Sequence, residues 1–129
     1  MNKDPIIIVS GEPYSIFLEI FFKSLKKYKS SKPIVLISSK DLLIKQMKKL
    51  GFNYKLNLIE KIFLNSKKLN NKKINLINVN FKSNKTFDKI SDHSNSYIAN
   101  SFDAAFKIIR KNKISGLING PISKKNFLK

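Results

Sequence analysis

Pro5-Ile6-Ile7-Ile8-Val9-Ser10-Gly11-Glu12-Pro13 is the stretch whose reading decides the fold. Ile6 to Val9 is an unbroken apolar, β-branched run, which suits a strand buried on both faces of a parallel sheet. Gly11 to Pro13 punctuate it. Pro33-Ile34-Val35-Leu36-Ile37 repeats the pattern as a second buried strand. Between the two, Ile16, Phe17, Ile20, Phe21 and Leu25 recur at three- and four-residue steps, with Lys23, Lys26 and Lys27 off the stripe. That spacing predicts an amphipathic helix. After the second strand, Ser39 is an N-cap type ahead of Leu42, Leu43, Met47 and Leu50, and Gly51 follows at the C′ position. The unit is therefore β-α-β-α, an α/β fold with a mostly parallel sheet and flanking helices, joined by right-handed crossovers.

Beyond Gly51 the pattern changes. Residues 53–59 and 74–79 alternate polar and apolar side chains, as half-buried strands do. The charged loop between them carries a turn signal at Asn70-Asn71. Residues 82–93 read as irregular and exposed. A long helix is predicted from Ser94 to Asn112, with Tyr97, Ile98, Ser101, Phe102, Ala105, Phe106 and Ile109 on its core side. A last strand, Ile114 to Ile118, leads through a Gly120-Pro121 turn to Ser123, an N-cap type, and to an apolar face begun by Phe127 and Leu128. A helix of one and a half turns is marginal by itself. The expectation is a single partial α/β domain over residues 1–129, truncated at its C-terminus.

Composition narrows the chemistry. A chain of 129 residues is about one domain long and buries roughly two-thirds of its unfolded surface. It has no cysteine, so disulfides and thiolate metal sites are excluded. Its single histidine, His93, sits among Ser91, Asp92 and Ser94 and reads as a surface residue, so no metal or catalytic set assembles from these residues. No signal peptide opens the chain, and no apolar run approaches the roughly eighteen residues of a membrane span, so the expected compartment is the cytoplasm and no membrane is expected as a partner. The formal net charge is +18, and 25 of the 26 basic residues are lysines, with Arg110 the exception. Lysine is a strongly hydrated point charge, whereas base-reading sites rely on the arginine fork. The lysines are also spread along the chain, which predicts solvated faces and non-specific adhesion to nucleic acid at low salt.

Ligands of open α/β sheets bind outside the carboxyl ends of the strands. Two loops qualify: Ser10 to Pro13, and Asn119-Gly120-Pro121-Ile122-Ser123-Lys124. The second offers helix-start amides and a lysine for an anion such as a phosphate; the plain alternative is a strand-to-helix turn with a solvated Lys124. Glu12 and Glu19 are a candidate carboxylate pair, with Glu19 as an exposed or capping group the simpler reading. Gly11 is followed by no second or third glycine at dinucleotide-binding spacing.

Three motifs, in order and in register, carry a resemblance. Gly120-Pro121-Ile122-Ser123-Lys124 resembles the Gly/Ala-Pro-x-x-Lys turn of the 4-hydroxythreonine-4-phosphate dehydrogenase family of pyridoxal phosphate biosynthesis. Pro5 to Pro13, followed by Ile16 and Glu19, is similar to that family's opening strand and loop, and Asn95-Ser96-Tyr97 to its Gly-His-Tyr-like helix start. At Ser15, Phe17 and Leu18 the chain departs from the family's further glycines and second proline. The resemblance spans the N-terminal portion of the family and implies the isocitrate/isopropylmalate-dehydrogenase-like fold. For the full-length family it implies an NAD-dependent, metal-assisted oxidation and decarboxylation of 4-phosphooxy-L-threonine by a homodimer. The implied substrate-binding residues here are Asn119, Gly120 and Lys124. The family's metal-binding histidines and its nicotinamide region have no counterpart in this chain, so the chain alone is expected to bind neither NAD nor metal and to be inactive. Two rival readings are a non-enzymatic relic or split subunit that binds a complementary chain, and a Lys-rich nucleic-acid-binding domain.

Overall fold

The structure, a computed structural model, describes residues 4–127. Five strands form one parallel sheet: β1 (Ile6–Val9), β2 (Ile34–Ser38), β3 (Leu56–Leu58), β4 (Ile74–Asn78) and β5 (Leu117–Asn119), in the order β3-β4-β2-β1-β5. Helices α1 (Phe17–Leu25) and α2 (Lys40–Lys49) cover one face, and α3 (Asn95–Asn112) covers the other. A short helix, α4 (Lys124–Phe127), follows β5; Leu128 lies outside the described residues.

The central strands are apolar on both sides because both sides are covered. Alternate residues of β1 serve different cores: Ile8 packs with Leu18, Phe21, Phe22 and Leu43, while Ile7 and Val9 pack with Ala105, Ile108 and Ile114. All five residues of β2 are buried. Helix α2 is bounded as its sequence predicts. The Ser39 hydroxyl accepts from the Leu42 amide at 3.3 Å. At the other end Gly51 takes φ +80°, with Phe52 N–H bonded to the Met47 carbonyl and Gly51 N–H to that of Lys48, the paired bonds of a glycine-terminated helix. A turn closes at Asn70, whose carbonyl accepts from the Lys73 amide at 3.0 Å.

Four expectations need correction. Helix α1 buries Leu18, Phe21 and Phe22, while Ile16 and Ile20 of the predicted stripe are 70% and 49% exposed. Two apolar stripes overlap on this helix, and the sheet takes the one that includes Phe22. Strand β4 is not half-buried: it lies between β2 and β3, and Ile74, Asn75 and Leu76 are all buried. Asn75 is accommodated there because its amide donates to the Ile34 carbonyl and its Oδ1 accepts from Asn57 and from the Asn70 amide. On α3 the core side includes Ile108, whereas Phe106 is 46% exposed. Finally, β5 begins at Leu117 and not at Ile114. Lys113 ends α3 with φ +52°, and Ile114 folds back to bond the Ile109 carbonyl at 3.1 Å.

Candidate functional site

Helices α1 and α2 lie on one face and α3 on the other, so the chain changes face in passing to β5. Strand β1 therefore has β2 on one side and β5 on the other, and the topological switch point falls between β1 and β5. The two loops expected at the carboxyl ends meet there. Gly120 N–H donates to the Val9 carbonyl at 2.7 Å, and Glu12 N–H donates to the Pro121 carbonyl at 2.8 Å. A Cβ at Gly11, which has φ +74°, would lie 2.6 Å from the Pro121 oxygen, and one at Gly120 would lie 2.1 Å from the Ser10 oxygen. Only glycine permits this backbone contact. The crevice at the switch point is thus closed by the chain's own main chain.

The candidate residues flank that closure. Asn119 is exposed, and its amide donates to the Gly120 carbonyl at 2.9 Å, which fixes the carboxamide. Gly120 is buried under Ser10 and the Phe17 ring. Lys124 is exposed at the start of α4. Asn119 and Gly120 are thus brought beside the first loop through β1, and Lys124 stands four residues beyond Gly120. Glu12 and Glu19 differ in setting. Glu12 is 3% exposed, and one of its carboxylate oxygens has no hydrogen-bond partner among the described residues. Glu19 is half-exposed and pairs with Lys23 at 3.6 Å.

Sequence reasoning missed the polar ties beneath the loops. The Tyr97 hydroxyl lies 3.1 Å from Ser10 Oγ and 3.4 Å from Ser38 Oγ, and accepts from the Ser39 amide at 3.0 Å. One phenol therefore joins the ends of β1 and β2 to the start of α3. Phe81 packs against Tyr97, Tyr14 and His93. Tyr14 and Ser83 share a hydroxyl hydrogen bond, and the buried Gln46 amide donates to the Pro13 and Thr86 carbonyls at 2.9 and 3.0 Å. Residues 82–91 are irregular, as expected, and a 3₁₀ turn occupies Asp92–Ser94; these ties pin the stretch across the carboxyl end of the sheet. The signal was available only as separate hydroxyl and amide residues whose partners are far away in sequence.

His93 is exposed, with its Nε2 3.0 Å from the Lys82 carbonyl. Among the described residues no group of three His, Cys, Asp or Glu converges to hold a metal ion. The residues present do not fit the divalent metal of the resembled family. Grooves of about 400 and 660 Å³ lie elsewhere, against α3 and α2, and take no residue from either loop. No helix among the described residues is long and apolar enough to cross a membrane.

The fold is similar to that of a 4-hydroxythreonine-4-phosphate dehydrogenase from Burkholderia phymatum, with a TM-score of 0.80 at 17% identity over 99% of this chain. A putative 4-hydroxythreonine-4-phosphate dehydrogenase from Salmonella typhimurium superposes at a TM-score of 0.79 and 18% identity over 99% of the chain. The enzyme of that name from Klebsiella pneumoniae does so at 0.80 and 16% over 98%. In each case the chain spans 39% of the solved structure's own length. The architecture is that of the isocitrate-dehydrogenase-like fold. No curated protein matches. The family described as pyridoxal phosphate biosynthetic protein PdxA matches residues 29–129, a range that holds the Asn95-Ser96-Tyr97 helix start and the Gly120-to-Lys124 turn. With more than half its length matched, the chain belongs to the PdxA family.

Proposed function

We propose that this chain is the N-terminal portion of an NAD-dependent 4-hydroxythreonine-4-phosphate dehydrogenase, and that it forms one edge of the substrate site. The observation that supports this most directly is the packing of Asn119-Gly120-Pro121 onto Ser10-Gly11-Glu12 at the switch point. It holds Asn119 and Lys124 at the carboxyl end of the sheet, where α/β folds bind ligands. The Lys124 ammonium suits the phosphate of 4-phosphooxy-L-threonine, and the fixed Asn119 carboxamide suits a neighbouring polar group of that substrate. Gly120 keeps the turn close enough to β1 for both.

Hydride acceptance by NAD and polarisation of the substrate oxygen by a divalent metal belong to the complete enzyme, and no side chain of this chain is assigned to either step. The chain alone binds substrate weakly and turns nothing over. Homodimerisation and a cytoplasmic setting accompany the complete enzyme in this reading.

Amide chemical shifts of the 129-residue chain, followed on adding 4-phosphooxy-L-threonine and then inorganic phosphate, test the site. Shifts centred on Asn119 to Lys124 and lost in Lys124→Ala are expected. Shifts elsewhere, or none at millimolar ligand, would overturn the assignment.

A further inference from the structure

We infer that the amino-terminal end of the sheet, with the exposed ring of Phe63 at its side, is a docking surface for single-stranded nucleic acid. It lies opposite the loops of the candidate site and stands independently of the dehydrogenase reading.

The lysines are spread along the sequence, but the fold gathers many of them. In a parallel sheet with returning helices, the helices end where the strands begin. The links arriving at that end are basic. The link from α1 to β2 carries Lys26, Lys27, Lys29 and Lys32. That from α2 to β3 carries Lys55, after Lys48 and Lys49 in the last helical turn. Lys72 and Lys73 precede β4, and Arg110, Lys111 and Lys113 close α3 ahead of β5. All of them are exposed. Asp4, ahead of β1, is the one acidic residue there among the described residues. Glu12, Asp41 and Glu60 follow the opposite ends of strands, and Asp88 and Asp92 lie in the stretch across that opposite end. The ion pairs of Lys23 with Glu19 and of Lys85 with Asp88 use no cation of this set.

Helix dipoles account for Lys48, Lys49, Arg110 and Lys111, which sit at helix C-termini. They do not account for Lys29, Lys32, Lys55, Lys72 and Lys73, which lie outside helices. Like charges gathered there repel one another, and a polyanion relieves that repulsion. The surface is continuous. The Asn71 amide donates to the Lys32 carbonyl at 2.8 Å and its Oδ1 accepts from the Ile34 amide at 3.0 Å, which joins the Lys72-Lys73 turn to Lys32. Lys26 Nζ stands 4.9 Å over the Phe52 ring and joins the end of α1 to the α2–β3 link. Five strands at about 4.8 Å spacing extend the row over about 19 Å, a length on which a stacked strand carries about six phosphates.

Phe63 adds a second kind of contact. It is 68% exposed, and the last residue of α3 holds its neighbours. Asn112 Oδ1 accepts from the Leu64 amide, and Asn112 Nδ2 donates to the Ile62 carbonyl, both at 2.8 Å. This clamp keeps Phe63 at the basic end of α3. A groove of about 320 Å³ runs beside it, lined also by Lys61, Lys68 and Glu60. Cations for phosphates and an exposed ring for base stacking are the combination that binds single strands.

The residue types select this partner. Lysine binds phosphate as a point charge and does not read base edges, so recognition is independent of sequence. Cores of protein interfaces are depleted in lysine. A basic patch holds a membrane firmly only with apolar insertion or a lipid anchor, and links 26–33, 50–55, 70–73 and 113–116 expose no large apolar side chain.

Fluorescence anisotropy on the protein at its natural length tests this, with an oligouridylate of about sixteen nucleotides and a duplex of equal length. Co-sedimentation with phosphatidylserine vesicles is a separate arm. A Kd of about 100 μM or tighter for the single strand at about 0.15 M salt is expected. Combining Lys32→Gln, Lys72→Gln and Lys73→Gln should weaken it at least about tenfold and flatten the log–log salt dependence by about 2. Combining Lys40→Gln, Lys82→Gln and Lys89→Gln, at the other end, should change it less than about threefold. Phe63→Ala should weaken single-strand binding about tenfold, and Phe63→Tyr should preserve it. Lys32, Lys72, Lys73 and Phe63 are exposed, so these variants should melt near the parent temperature. A weaker Kd for the single strand would overturn the inference, as would equal losses from the two lysine sets. So would duplex binding as tight as single-strand binding and unmoved by Phe63→Ala, or retention on vesicles alone.

Discussion

Gly120 stands so close to Ser10 that a Cβ there would lie 2.1 Å from the Ser10 carbonyl oxygen. This approach lets β5 and β1 exchange the 2.7 Å bond from Gly120 N–H to the Val9 carbonyl and seats the second loop on the first. Gly120→Ala should destabilise the chain by about 3 kcal/mol, because the obstacle is backbone and cannot swing aside. Urea unfolding measures it. A loss below about 0.5 kcal/mol would show that the two loops are not held as described.

Tyr97 ties three elements through one hydroxyl. Tyr97→Phe leaves the buried Ser39 amide without its 3.0 Å acceptor and should cost about 2 kcal/mol. Tyr28→Phe removes a hydroxyl bond of similar length to the Lys32 carbonyl at an exposed position, and should cost less than about 0.5 kcal/mol. Equal effects in parallel urea titrations would refute the buried tie.

Lys113 ends α3 in the left-handed region, where a side chain is disfavoured. Lys113→Gly should raise stability by about 1 kcal/mol despite adding freedom to the unfolded chain, with unchanged circular dichroism. A decrease would mean that the lysine makes a contact outweighing its backbone.

Burial pushes the Tyr54 hydroxyl above the usual tyrosine range. The neutral phenol donates to the Phe22 carbonyl at 2.9 Å. Its contribution is therefore complete below the unfolded value of about 10 and is lost as pH rises through the higher folded value. The stability difference between the parent and Tyr54→Phe should shrink between pH 9 and 11.5. A difference that grows over that range would contradict the sign.

The sequence made β1, β2 and α2 legible because their signals are local: unbroken β-branched runs, a serine cap and a glycine stop. It also marked both loops of the candidate site, since Gly11, Pro13, Gly120 and Pro121 punctuate whatever the tertiary setting. Helix α1 was misread because its sequence carries two apolar stripes, and only the position of the sheet selects Leu18, Phe21 and Phe22 over Ile16 and Ile20. Strand β4 looked half-wet because Asn75 is polar, yet its amide and carbonyl find partners 41, 18 and 5 residues away. The Tyr97 tie was hidden for the same reason, with partners 58 and 87 residues distant. Phe106 and Ile16 show the converse: apolar periodicity alone does not tell a core side chain from an exposed one.

We propose that this chain supplies one edge of a dehydrogenase site. The most direct test is to purify the endogenous protein on an antibody against residues 4–127 and follow NADH on adding 4-phosphooxy-L-threonine, NAD and a divalent metal. Substrate-dependent NADH is predicted, with KM raised at least about tenfold by Lys124→Ala, as loss of one charge-assisted contact to phosphate implies. No substrate-dependent NADH from the purified endogenous material, whatever the metal, would contradict it.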